Sequence, residues 1–217
     1  MDDAMYKEMA LSAVGVFGPL SESLKESLRS VLCVEKFGKG KLLLKCGSVC
    51  DRTHYIVKGL IHCYYGTKEK PETDYFMVES QFAISKYSFY EQKSSDQSIE
   101  ALEDTITVSI SYVALEMLYI KYPSFNYNGR KLTERYHIKS NIKTLVLRPR
   151  RAVDRYNLLK QMAPELTDRV MGKYLSAFLG IREETLSRIK TGDRKTYVNR
   201  TRKKDIHIDL DQSEQCT

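Results

Sequence analysis

The chain has 217 residues, is 42% hydrophobic and carries a formal net charge of +7. That length allows one large domain or two small ones with a real core, and the apolar runs are far shorter than the ~20 residues of a membrane-spanning helix. The five cysteines (Cys33, Cys46, Cys50, Cys63 and Cys216) are odd in number, and the acidic start "MDDAMYKEMA" has no basic-then-apolar secretory pattern. Free thiols and a cytoplasmic location are therefore expected. Cys46 and Cys50 lack the spacing of a zinc knuckle and no His or Cys pair follows them, so no metal is expected.

The charge is unevenly spread. Residues 1–147 hold 19 basic and 18 acidic side chains, whereas residues 148–204 hold 16 and 6. A neutral front and a basic back predict two jobs on one chain, with the back suited to a phosphate backbone.

In chain order, Leu20, Leu24, Leu28 and Val31 form one apolar helical stripe within residues 1–32, with Ser21 or Ser23 as cap. From Glu35 short apolar runs alternate with Gly40, Gly47, Gly59 and Gly66, which predicts strands and tight turns in a β-barrel or double-sheet roll. "HYIVKGLIHCYY" reads as a hairpin turning at Lys58-Gly59, and "TDYFMV" and "TITVSISY" as further strands. A short helix begins at Val113, and Pro123 interrupts it. The next helix carries a stripe of Phe125, Leu132, Tyr136, Ile138, Ile142 and Leu145, which could cover its own roll or a second copy of the chain; the dimer is the favoured reading.

Beyond Pro149, Val153, Tyr156, Leu159 and Met162 line one helix, and "RVMGKYLSAFLG" and "EETLSRIK" predict two more. Two helices crossing at a tight turn need apolar hub residues, a small residue at their closest approach and a residue tolerant of left-handed backbone. Leu175, Leu179, Leu186 and Ile189 supply the hub, Ser176 the small residue, Gly180 the turn and Ile181 its plug. Arg182, Glu183, Glu184, Ser187, Arg188 and Lys190 then point outward. Ile206, Ile208 and Leu210 alternate as an edge strand after the basic run Arg202, Lys203, Lys204.

From about Leu20 to Gln212 the sequence resembles the Crp/Fnr family of bacterial transcription regulators. The resemblance rests on "FGKGKLLLKCGSVCDRTHYIVKGLIHCYY", "LGIREETLSRI" and "DIHIDLDQ", and is closest to the Bacteroidetes-type branch. It implies an α+β chain: a double-stranded β-helix (jelly-roll) domain of cyclic-nucleotide-binding type over 1–122, a dimerisation helix over 123–147, and a winged helix-turn-helix over 148–217. It implies double-stranded DNA and a second copy as partners, leaving open RNA polymerase and a small-molecule effector.

Glu184, Ser187 and Arg188 match the family's base-reading positions. Glu can accept from cytosine N4 and Arg can donate to guanine O6 and N7. Glu183 is read as a helix-dipole residue. Arg182 stands where Ser or Thr usually caps and is assigned to the DNA backbone with Lys173, Lys190, Arg202, Lys203 and Lys204.

The family's nucleotide cassette needs a Gly-Glu step and an Arg. Residues 79–104 contain no glycine, and no arginine occurs between Arg52 and Arg130. Binding of cyclic AMP or cyclic GMP in the usual way is therefore not expected, since a buried phosphate would lack its cation. A pocket at Tyr75, Phe82, Tyr87 and Phe89 is the candidate for another effector. The alternative is a cytosolic ligand-binding module whose C-terminal hairpin docks protein. No nucleophile elbow, phosphate loop or HExxH motif occurs, so an enzyme is not expected.

Overall fold

The computed structural model describes residues 2–68 and 70–192. The chain opens with α1 (Asp3–Gly15) and α2 (Glu22–Val31). Ser21 caps α2 by accepting from the Leu24 amide at 3.3 Å, which satisfies one of the free donors at a helix start. Leu24 and Leu28 are buried and Val31 is half-buried, with Leu20, Tyr6 and Leu11 in the same cluster.

Eight strands follow: β1 (Cys33–Phe37), β2 (Leu42–Leu44), β3 (Arg52–Lys58), β4 (Ile61–Gly66), β5 (Pro71–Met77), β6 (Phe82–Ala83), β7 (Gln97–Ala101) and β8 (Thr105–Ser111), with the short helix α3 (Lys86–Glu91) between β6 and β7. They form two four-stranded antiparallel sheets, ordered β1-β8-β3-β6 and β2-β7-β4-β5. The hairpin expected at Lys58-Gly59 is not one. β3 pairs with β8 and β6, whereas β4 pairs with β5 and β7, so the turn carries the chain from one sheet to the other. Gly59 has φ +117°, and a Cβ there would lie 2.8 Å from the Thr105 Cα. Only glycine allows so close a crossing.

The interior between the sheets is filled by Leu44, Cys50, Ile56, Ile61, Cys63, Met77, Ala83, Phe89 and Ile99. The opposite face of the first sheet is covered by α1, α2 and α4 (Tyr112–Lys121), through Tyr55, Val108 and Ile110. After Pro123 the long helix α5 (Phe125–Leu147) runs on. Phe125 is buried, and Leu132, Tyr136 and Leu145 are half-buried. Tyr136 packs edge-on against Phe82 and its hydroxyl accepts from the Phe82 amide. Among the described side chains of that stripe, Phe125 and Tyr136 pack on their own chain, whereas Ile138 stands exposed.

The last four described helices are α6 (Ala152–Met162), α7 (Pro164–Arg169), α8 (Gly172–Leu179) and α9 (Glu183–Thr191). They share one apolar cluster with the roll: Leu60, Phe76, Val78 and Leu102 lie with Leu166, Val170, Tyr174 and Phe178. Strand β4 explains how. Ile61 and Cys63 face the interior, while His62 and Tyr64 face the opposite way, toward α8, so Ile61–Tyr64 are all buried. A strand covered on both faces loses its apolar–polar alternation.

Beside this seam, Arg169 forks between two carboxylates. Its guanidinium reaches Glu79 at 2.7 and 3.0 Å and Glu103 at 2.7 and 3.3 Å. Glu79 also accepts from the Gly59 amide at 2.8 Å. The clamp ties α7 to the loops after β3, β5 and β7. The Arg169 hydrogen bond, helped by that amide, holds the Glu79 carboxyl at about 2, well below 4.5. Both carboxylates are 38% exposed, so solvent screens them. Arg169→Ala should therefore lower stability by about 1–2 kcal/mol, less than the ~3–5 of a fully buried pair. A depressed carboxylate stabilises above its unfolded value and stops doing so as pH falls through its folded value. The difference between wild type and Arg169→Ala in urea denaturation should accordingly narrow between pH 4.5 and about 2.

Candidate functional site

Helices α8 and α9 form a hairpin about Gly180, whose φ of +62° is left-handed. Leu175, Leu179 and Leu186 are fully buried at its hub, Ser176 is buried, and Ile181 and Ile189 are half-buried. The Ile181 amide closes the turn onto the Ser176 carbonyl at 3.0 Å, the bond expected of a glycine-terminated helix. A residue unremarked in the sequence completes it. Arg155, on α6, donates to the carbonyls of Leu179 at 2.9 Å and Gly180 at 3.4 Å, and to Pro149 at 2.9 Å. It thereby satisfies two free acceptors at the end of α8. In the sequence it looked like one more cation of a basic segment.

The outward residues divide by role. Glu184, Ser187 and Arg188 are exposed and share one face of α9 at spacings of three, four and one. Glu183 turns back toward α8, its Oε1 lying 3.0 Å from where a Cβ of Gly172 would stand. It thus lies beside the N-terminal end of α8, where negative charge is favoured. Arg182 occupies the N-cap position in extended conformation without a capping bond. Its exposed guanidinium is free to face outward with Lys173, also exposed. Lys190 is partly committed, since its ammonium donates to the Thr167 carbonyl at 2.9 Å. Arg202, Lys203, Lys204 and the strand expected at Ile206–Leu210 lie outside the described residues.

The sensor candidates also separate. Tyr75 and Tyr87 border one cavity of about 190 Å³ at the rim of the roll, together with Tyr65, the carboxylates of Asp74 and Asp96, Lys86 and Gln97. Phe82 and Phe89 are not part of it. Phe82 packs against Tyr55 and Tyr136, and Phe89 is a buried core residue flanked by Tyr90 and Tyr112. Aromatic residues on β6 and α3 were drawn into the core because those short elements close one end of the roll. Among the described residues no cluster of His, Cys, Asp or Glu fits a metal. Cys50 and Cys63 are buried, and burial pushes the Cys63 thiol up to about 12, far from a reactive thiolate. No described helix is long and apolar enough to cross a membrane.

This arrangement recurs in solved structures. FixK2 from Bradyrhizobium japonicum superposes with a TM-score of 0.61 at 15% identity, over 75% of this chain and 84% of that one. The c-di-GMP responsive global regulator CLP of Xanthomonas campestris gives 0.59 at 14%, over 79% and 91%. A cyclic nucleotide-binding domain from Methylobacillus flagellatus gives 0.56 at 19%, over 65% and 83%. The chain has the cyclic-nucleotide-binding fold that these structures share. No family profile and no curated protein matches it in sequence.

The link between roll and hairpin runs through His62. Its ring stacks between Tyr64 and Phe76 at 4.8 and 5.1 Å and meets Tyr174 at 4.7 Å. Nε2 lies 2.9 Å from the Thr73 hydroxyl, which donates to the Tyr174 carbonyl of α8 at 3.4 Å. That direction requires Nε2 to carry the proton, leaving Nδ1 as the one buried side-chain polar atom without a partner among the described residues. Burial depresses His62 to about 3. A histidine buried neutral has a folded value below its unfolded 6.5, so its penalty is absent above 6.5 and grows as pH falls toward 3. His54, lowered to about 4 chiefly by burial, acts in the same direction. His62→Phe should flatten the acid-side loss of stability by up to about one proton, leaving the His54 part, as read from denaturant midpoints across that range.

Proposed function

We propose that the chain is a homodimeric, sequence-specific DNA-binding regulator of Crp/Fnr type, whose α8–α9 hairpin belongs to a winged helix-turn-helix. The observation that carries the reading is the exposed ridge of Glu184, Ser187 and Arg188 on α9, with the opposite face locked by Leu186 and Ile189. A rigid helix with a polar outer face can enter a major groove, where these three side chain types discriminate base edges. The basic balance of residues 148–204 supports the same reading, because several cations beside the helix would meet phosphates. So does the fold shared with FixK2 and CLP.

In the dimer α5 would meet its copy along the side that carries exposed Ile138. The spacing of two α9 helices would then select operator half-sites. Cyclic AMP and cyclic GMP are not expected to bind in the usual way, a reading supported by the absence of glycine and arginine from the stretch where the family places its phosphate cassette.

Selection from randomised duplexes tests the function directly. A single preferred palindromic site is expected, bound with an affinity that falls steeply with salt. Arg188→Ala should cost about 1–3 kcal/mol and relax the preference at one base pair per half-site. Lys203→Ala or Lys204→Ala should weaken all sequences alike and reduce the salt slope by about one. An unchanged site preference in Arg188→Ala would remove that residue from base reading.

A further inference from the structure

The cavity at the rim of the roll has the wrong charge for a phosphate. Its lining carries the carboxylates of Asp74 and Asp96, the ammonium of Lys86 and three phenols, and the Lys143 ammonium lies on Asp74 from outside, so the carboxylates leave no surplus positive charge and no guanidinium for a phosphate. The groups converge. The Tyr65 phenol is pushed up first by burial and then by the nearby charges of Asp74 and Asp96. Asp96 has no ion-pair partner among the described residues. Asp74 accepts from Gln97 Nε2 at 2.7 Å and from Lys143 Nζ at 3.3 Å. The chain's own ammonium groups already show what the cavity attracts: Lys143 sits on Asp74, and Lys86 lies 5.8 Å from the centre of the Tyr75 ring. Carboxylates flanked by aromatic rings favour a compact organic cation, which pairs with the charge and stacks on the rings.

We propose that this cavity is an effector site for a small organic amine, which binds between Asp74 and Asp96 and displaces Lys143 from Asp74. The proposal rests on the reading of the roll as a sensor domain. It also supplies a physical route to the hairpin. Lys143 belongs to α5 and donates to the Thr73 carbonyl at 2.8 Å as well as to Asp74. Thr73 in turn contacts the Tyr174 carbonyl of α8 and His62. An ammonium that takes the place of Lys143 at Asp74 therefore leaves α5 held to β5 only through the Thr73 carbonyl, and so loosens it beside the strand residue that holds α8. The cavity is about 190 Å³, room for a molecule the size of a small biogenic amine.

Calorimetry and thermal shift with putrescine, phenethylamine and choline test this, with succinate and cyclic AMP as anionic counter-probes. At least one amine should bind saturably and neither anion should. Asp96→Asn, at an exposed position, should weaken the amine about tenfold or more. Lys143→Met, which removes the internal competitor, should instead tighten it. Amine binding should also speed hydrogen exchange at the amides of Tyr174–Leu179. Absence of amine binding up to about 10 mM, preference for an anion, or the same direction of change in both variants would overturn the proposal. Duplex binding by the same preparations without amine is scored separately. Amine binding by a protein that binds no duplex would overturn the regulator reading and leave the site standing.

Discussion

Strands β4 and β5 present His62, Tyr64 and Phe76 on the outside of the roll, and that surface has to be covered. Helix α8 covers it with Tyr174 and Phe178 while its other residues, Leu175 and Leu179, form the hub of the hairpin. One eight-residue helix thus belongs to two packing units at once. Burial of each large side chain in such a seam contributes about 1.5–3 kcal/mol, enough that a handful of residues fixes where the hairpin sits. Close packing leaves little room for gradual sliding, so β5 and α8 are held in one relative placement.

The seam is not purely apolar, and its polar parts give it direction. The His62–Thr73–Tyr174 chain admits one arrangement of donors that satisfies the Tyr174 carbonyl, and it leaves Nδ1 of His62 unpaired. Arg169 adds a bidentate grip on two loops of the roll. Polar contacts of this kind contribute modestly to stability but penalise any other docking geometry. The cations of the basic segment are accordingly of two kinds. Arg155, Arg169 and Lys190 satisfy carbonyls or carboxylates within the chain. Lys173, Arg182 and Arg188 stay exposed around α9, where they add to the positive field on that side of the chain.

The roll itself has a packed interior, and its open space lies at the rim. Strand β6 and helix α3 close one end with Ala83 and Phe89, and Tyr75 reaches across to donate to the Ile84 carbonyl. What remains open lies between that end and the edge of β5, within reach of α5. The same strand borders the cavity through Asp74 and Tyr75 and the hairpin through Thr73 and Phe76, because the β4–β5 register shifts between Cys63–Tyr75 and Tyr64–Thr73, leaving Asp74 as an extra residue that interrupts the alternation.

Much of this could be read from residue patterns. The glycine-punctuated run Glu35–Gly66 shows strands, the spacing of Leu175, Leu179, Leu186 and Ile189 shows a helical hairpin, and Gly180 marks its turn, because periodicity and left-handed backbone leave local traces. Ser21 was legible as a cap for the same reason. The pairing of β3 and β4 was not: a glycine turn between two apolar runs looks alike whether the chain folds back or crosses to another sheet, and the distinction lies in the close approach of Thr105, 46 residues on. Charge patterns likewise cannot tell Arg155, Arg169 and Lys190 from surface cations, because their carbonyl and carboxylate partners are distant in the chain. Nor could they separate Tyr75 and Tyr87 from Phe82 and Phe89. Local sequence determined which elements form and which faces are apolar. Only tertiary packing decided which surfaces those faces cover, and so which polar groups remain outside to meet a partner.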